Sequence, residues 1–261
     1  MSRFWRQFKA RRPPYVHPAD TEFIKADVPS IRSFKDYVTS GAFNPNPDGF
    51  QLSLYPSPYL GDLRKAKVIV LLLNPGFNTA DYYSEMGNIA AIKRARRNTI
   101  AQRLSKLEFK FFLLDPAFCW TPGFRWWEQK VRKIALKICE LRKTGDVSYR
   151  EALRLISSVL AAIELVPYHS VSFRKGRRSL RRGHHVDDLP SVKESIRQLR
   201  RCAKDSNVTI YIARQHERWN AGLEGAKATV LESNSARGVS FTPNSPIGKA
   251  ILKAVARLPT R

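Results

Sequence analysis

Six branched apolar residues follow one another from Val68 to Leu73 in the stretch KVIVLLLNPGFN, and no polar side chain marks an outer face. A strand that meets water on one side alternates apolar and polar residues. A strand of this kind is therefore buried on both faces, as in parallel sheets layered with helices. Pro75 and Gly76 stop the strand and force a turn. Asn74 is the first polar side chain after the run, held where the strand leaves the core.

Downstream, apolar runs alternate with helical periodicity. Strands are expected at Lys67–Leu73, Phe109–Leu114, Ala162–Val166, Val208–Ala213 and Ala226–Leu231. Helices are expected at about Glu85–Lys106, Trp126–Arg142, Tyr149–Leu160, Ser191–Lys204 and Ile247–Arg257. The alternation predicts an α/β fold with a mostly parallel central sheet of four or five strands and helices on both faces. With no internal repeat and no linker, the chain reads as a basic N-terminal extension, residues 1–54, followed by a single α/β domain, residues 55–261. Within the extension, Phe4, Trp5, Phe8 and Tyr15 lie among arginines and lysines. They form either a basic arm that tracks phosphates or a terminal helix packing its rings on the core.

Among 261 residues, 46 Lys and Arg stand against 22 Asp and Glu, a net charge of +24. Such an excess favours a polyanionic partner, nucleic acid first and a membrane surface second. No apolar run approaches the roughly 20 residues of a membrane span, and no hydrophobic signal segment follows Met1. A cytoplasmic monomer without cofactor is the expectation. Cys119, Cys139 and Cys202 are scattered, without the paired spacing of a disulfide framework or zinc site.

In parallel α/β sheets, ligands sit beyond the carboxyl ends of the strands. Three such exits are chemically rich: NPGFN after the first strong strand, PYHS (Pro167–Ser170), and ESNSARGVSFTPN (Glu232–Asn244) after the last. Two basic clusters, Ile92–Asn98 and Phe173–His185, carry much of the local charge, and the second starts directly after PYHS. Phosphate binding is the expected role of the second, through Arg174, Lys175, Arg177, Arg178, Arg181 and Arg182, and of the first as well. His184, His185, Asp187 and Asp188 are nearly contiguous and precede Pro190, which suits helix-entry residues better than a metal site.

The segment LLNPG resembles the first motif of the uracil-DNA glycosylase superfamily, which reads Gly-Ile-Asn-Pro-Gly in the mismatch-specific and thymine-DNA branch. SNSARG stands in the place of the second motif, where His-Pro-Ser or Asn-Pro-Ser is usual, and IELVPYHS looks like a strand exit that helps to read the base. In order of elements the resemblance spans Tyr55 to Arg257. It implies a uracil-DNA-glycosylase-like fold and a monofunctional hydrolase that flips a pyrimidine out of double-stranded DNA and leaves an abasic site. Some prokaryotic members of the superfamily act in antiviral defence by excising glucosylated hydroxymethylcytosine from phage DNA. No iron–sulfur cluster is expected, because that cofactor needs four cysteine ligands.

Cleavage of an N-glycosidic bond places positive charge on the sugar and negative charge on the leaving base. Asn74 would orient the attacking water, since its amide has no ionisable oxygen to act as a base; otherwise it caps the turn. His169 would donate to the base, or else be satisfied within its loop. Tyr168 is a candidate pocket wall. Phe77 is either a stacking face for the flipped base or a residue packed under the turn. Ser233, Asn234 and Ser235 offer donors near the base or flanking phosphates, and Arg237 is a candidate wedge for the space left by the extruded nucleotide.

Uracil enzymes of the best-known branch carry an aromatic gate at the position of Gly76, where it collides with pyrimidine C5 substituents. The expected substrate is therefore a C5-modified cytosine such as glucosylated hydroxymethylcytosine, with uracil or mismatch repair as the alternative. A metal-dependent nuclease built on Asp115, Asp187 and Asp188, or a non-catalytic DNA-binding module, are the other readings.

Overall fold

The computed structural model describes residues 3–25, 31–86, 90–141, 147–233 and 241–259. In chain order the helices and strands are α1 (Arg3–Arg6), α2 (Phe34–Thr39), β1 (Tyr59–Leu60), β2 (Val68–Leu72), α3 (Thr79–Met86), α4 (Ala90–Ile100), α5 (Pro122–Leu141) and α6 (Tyr149–Val159). There follow β3 (Leu160–Glu164), α7 (Phe173–Gly176), α8 (Pro190–Cys202), β4 (Thr209–Ile212), α9 (His216–Leu223), β5 (Thr229–Glu232) and α10 (Pro246–Ala256). The fold is α/β around one five-stranded, mostly parallel sheet in the order β1-β3-β2-β4-β5. Among the described residues no helix is long and apolar enough to cross a membrane.

That order explains the opening run. β2 is the middle strand, flanked by β3 and β4, and Val68 to Leu71 are all buried. β2 pairs parallel with β4, Val68 opposite Thr209, and β4 pairs parallel with β5, Thr209 opposite Thr229. β5 closes the row, and only Leu231 of its four residues escapes full exposure. Its weaker apolar pattern is that of an edge.

The chain packs as two compact units rather than as an extension followed by a domain. Unit 1 collects residues 1–59, 73–102 and 164–198; unit 2 collects residues 60–72, 103–163 and 199–261.

Unit 2 holds most of the sheet. In α5 the buried positions are Phe124, Trp127, Val131, Ile134, Ala135 and Ile138, the spacing of a single helical stripe. α6 starts at Ser148, whose hydroxyl accepts the Glu151 N–H at 3.2 Å and so satisfies one of the free first-turn donors. α10 starts in the same way at Ser245. Gly248 in its first turn is obligatory, because a Cβ there would lie 1.8 Å from the Thr242 carbonyl oxygen.

One strand expectation fails here. Phe109–Leu114 holds a 3₁₀ turn at Phe112–Leu114, and the Phe111 N–H donates to the Ser157 hydroxyl at 2.9 Å instead of to a neighbouring strand. Of the helix expected at Glu85–Lys106, the described residues hold the end of α3, which begins earlier at Thr79, and α4, which ends at Ile100; α9 was not anticipated.

In unit 1 the N-terminal aromatics pack inward. Trp5 and Phe8 are buried, and His17 stacks on Phe4 with ring centroids 3.7 Å apart. The His17 N–H donates to the Tyr168 hydroxyl, which donates to Asp20 at 2.5 Å, while the Ser191 N–H reaches the other Asp20 oxygen at 3.0 Å. Residues 3–25 are therefore tied to the core by these buried hydrogen bonds.

Candidate functional site

Because β3 and β2 are neighbours, their exits run side by side. The Val166 N–H donates to the Leu73 carbonyl at 2.9 Å, and four residues on the Ser170 N–H donates to the Pro75 carbonyl at 3.2 Å. The NPG and PYHS turns thus lie against one another in unit 1, two of the three exits singled out above.

Asn74 sits half-buried at this junction. Its amide NH₂ donates to the Ser170 hydroxyl at 2.9 Å, the Pro75 carbonyl at 2.8 Å and the Ser170 carbonyl at 3.3 Å. Ser170 is fully buried and passes its own proton on to the Ser172 carbonyl at 3.0 Å. These contacts fix the orientation of the amide and leave its carbonyl oxygen without a donor among the described residues. A fixed acceptor of this kind can hold a water by one of its protons.

Gly76 is exposed, and a Cβ added to it would meet nothing within 4 Å. Phe77 packs with Tyr82, ring centroids 5.9 Å apart, against the cluster of Ile31, Tyr37, Leu54 and Tyr82. Of its two expected roles, the structure has the one under the turn.

His169 is buried, and both its ring nitrogens are engaged. Nδ1 lies 2.8 Å from the Gly76 carbonyl oxygen and Nε2 lies 3.5 Å from Arg96 Nη1. Burial and the neighbouring Arg96 charge push its pKa down to about 3, so the ring is neutral at ordinary pH, with Nδ1 as donor to Gly76 and Nε2 facing the guanidinium. His169 is a positioning residue for the turn, and its nitrogens are not offered to a ligand.

Arg96 continues the chain of contacts inward. Its Nη2 is 2.9 Å from Glu85 Oε1, an ion pair by distance though not an aligned hydrogen bond, and Glu85 Oε2 accepts the Tyr55 N–H at 2.7 Å. Beside it, Asp81 accepts the Asn78 N–H at 2.7 Å, and burial raises its pKa to about 7. A line of buried ionic groups therefore runs from α3 through α4 to the backbone of Gly76. Asp81 and Glu85 were not marked by sequence, and Arg96 and Ser170 only as members of the Ile92–Asn98 cluster and the PYHS exit. The further signal was a pair of carboxylates four apart on one helix, with an arginine in the next.

Tyr168 is not a pocket wall. It is 1% exposed, with its hydroxyl held between Asp20 and the His17 N–H. Ser233 ends β5 in unit 2, its N–H donating to the Ile212 carbonyl at 3.0 Å. Asn234, Ser235 and Arg237 lie outside the described residues.

The basic cluster is anchored to the same turn. A Cβ on Gly176 would come 2.8 Å from the Ser170 hydroxyl, so the backbone of α7 presses on the serine that holds Asn74. An antiparallel bridge, Ile24 to Leu180, and the Arg181 N–H to Phe23 carbonyl bond at 2.9 Å pin the segment after it. Arg174, Arg177, Arg181 and Arg182 are exposed. Arg178 is exposed too but pairs with Asp48, and the half-buried Lys175 pairs with Asp48 and donates to the Asn46 carbonyl at 2.8 Å. Five of the six expected phosphate contacts are thus presented to solvent, one of them already paired with a carboxylate.

The remaining titratable cluster is structural. Asp188 accepts the His185 N–H at 2.6 Å at the start of a 3₁₀ turn, and His184 packs edge-on against Phe23. Asp115 caps its own 3₁₀ turn through the Ala117 N–H at 3.0 Å. Among the described residues no group of three or more His, Cys, Asp or Glu is arranged to hold a metal ion.

Compared with protein-family profiles, curated proteins and solved structures, the chain matches none of them.

Proposed function

We propose that this protein is a monofunctional DNA glycosylase of the uracil-DNA glycosylase type, hydrolysing the N-glycosidic bond of a flipped pyrimidine in DNA. One observation carries the reading. Asn74 leaves the central strand with its NH₂ clamped by Ser170 and Pro75, and no described residue donates to its carbonyl oxygen. Such an oxygen orients a water without deprotonating it, which suits a dissociative cleavage in which the sugar has become cationic before water attacks. The exposed Arg174, Arg177, Arg181 and Arg182, on the segment that packs against Ser170, would hold the flanking phosphates.

The space at Gly76, beside a Phe77 packed on Tyr82, favours a pyrimidine carrying a substituent at C5. The substrate proposed is a C5-modified cytosine, glucosylated hydroxymethylcytosine above all, excised from phage DNA as a defence. The test is to incubate the protein with phage DNA carrying glucosylated cytosines, with unmodified DNA and with uracil-containing DNA, and to identify released bases by mass spectrometry. Release from the glucosylated DNA is expected. Release of uracil alone would replace the defence reading with repair, and release from none of them would remove the glycosylase reading.

A further inference from the structure

Unit 1 contains a cleft that the glycosylase reading does not use. Tyr15, Tyr55, Glu85, Arg32, Lys93 and Arg97 line it, while Asn74, Phe77 and Ser170 do not. Its empty space, open to solvent, is about 390 Å³.

The wall chemistry is specific. Tyr15 and Tyr55 meet at 5.1 Å between ring centroids, inclined at 60°, and Phe8 supports Tyr55 from behind at 5.2 Å. Arg97 stands near enough to Tyr55 and Tyr15 for its charge to act on both hydroxyls. Among the described residues Glu85 is the one carboxylate of the lining, and Arg96 at 2.9 Å and the Tyr55 N–H at 2.7 Å already meet its charge. Lys93 and Arg97 stand one helical turn apart on α4, both exposed, so they share a face of that helix. With Arg32 they make the lining cationic. A partner for this cleft carries negative charge and a flat apolar body.

We infer that the cleft is a nucleotide-binding site, with the phosphate at Lys93 and Arg97 and the base laid on the tyrosine rings. The cleft is open to solvent, so it does not enclose a base. The base lies across the mouth, where aromatic stacking accepts any of the four. A guanidinium and an ammonium side by side match a phosphate, the first by its planar fork and the second as a point charge. The same chemistry serves a free nucleoside monophosphate or one residue of a polynucleotide strand. The inference does not depend on glycosylase activity.

The full chain is titrated calorimetrically with deoxycytidine 5′-monophosphate, deoxycytidine, inorganic phosphate and a short single-stranded oligonucleotide. The mononucleotide should bind at least tenfold more tightly than either fragment, and the Lys93→Gln/Arg97→Gln double variant should lose at least tenfold. Tyr15→Leu should weaken the mononucleotide and leave inorganic phosphate unchanged. Circular dichroism on each variant ensures that folded proteins are compared. Dependence on Lys93 and Arg97 with the oligonucleotide alone would assign the site to a strand residue. Binding of both ligands that is indifferent to these substitutions, or no tighter than phosphate, overturns the inference. Base release is measured separately on the wild-type protein, so loss of the glycosylase reading and loss of this one are read from different assays.

Discussion

Replacing Arg96 with Met tests whether the buried ionic line supports the Asn74 turn. The substitution keeps much of the side-chain length and removes the charge 2.9 Å from Glu85 and 3.5 Å from His169. Glu85 is 3% exposed and would keep only the Tyr55 N–H as a partner. Breaking a buried pair by deleting one partner costs about 3–5 kcal/mol, because the charge left behind is not compensated. For a protein of this size about 1 kcal/mol moves Tm by roughly 2–4 °C, so a fall on the order of 10 °C is expected.

The pH dependence gives a second readout. Burial already raises the Glu85 pKa, and Arg96 opposes that rise. A carboxyl whose folded pKa is raised binds its proton more tightly when folded, so stability is lost as pH climbs from the unfolded value towards the folded one. Without Arg96 the folded value moves further up, and the deficit of the variant must be larger at pH 8 than at pH 5. Adding Glu85→Gln removes the stranded charge and should recover most of the loss, a coupling that a double-mutant cycle measures directly. Thermal unfolding at the two pH values, followed by circular dichroism, provides all four numbers. A deficit under about 1 kcal/mol, or one equal at pH 5 and pH 8, would refute the argument.

Asn74→Ala should abolish base release while DNA affinity stays near that of the wild type; single-turnover excision beside a binding titration checks it. Ser170→Ala removes one hydrogen bond to the Asn74 amide, worth about 1 kcal/mol, and should slow excision roughly fivefold to tenfold with little change in DNA affinity. Neutralising Arg174, Arg177, Arg181 and Arg182 together should reduce the slope of log K against log salt by up to about 3.6, at about 0.9 for each phosphate contact; an unchanged slope would place the cluster off the DNA. Gly76→Tyr fills the open space at the turn and should suppress release of C5-substituted pyrimidines more than release of uracil, as a comparison of initial rates on the two DNAs would show.

The central strand was legible because burial on both faces writes itself into composition: six apolar residues in a row admit few other fates. Phe109–Leu114 shows the limit of that signal. Its residues are as buried as those of β2, but a short apolar run has no period to separate a strand from a 3₁₀ turn, and what decided it was the Ser157 hydroxyl, far along the chain. The site divided in the same way. Asn74 was marked by its place at the end of a strand, which is local. Tyr168 was misplaced because Asp20 and the His17 N–H, which take its hydroxyl, come from the N-terminal segment. Lys175 and Arg178 read as free cations because Asp48 meets them only after the chain has returned. Ser170 carries no distinguishing pattern, and only its adjacency to Pro75 gives it a task.

The interleaving of the two units bears on how the protein can be made. Unit 1 lacks its third segment until residue 198 has been synthesised, and unit 2 lacks its own until the chain continues past residue 199. Domains that occupy continuous stretches fold one after another as they leave the ribosome. Here β2 must wait for β4, joined to it by the pairing of Val68 with Thr209, so the middle of the sheet remains without that neighbour while 140 further residues are added. Throughout that interval the Val68–Leu73 run is a short, uncharged, strand-forming segment of the sort that associates with its own copies. The residue sequence that centres the sheet in the finished molecule is also the one a nascent chain has most need to shield.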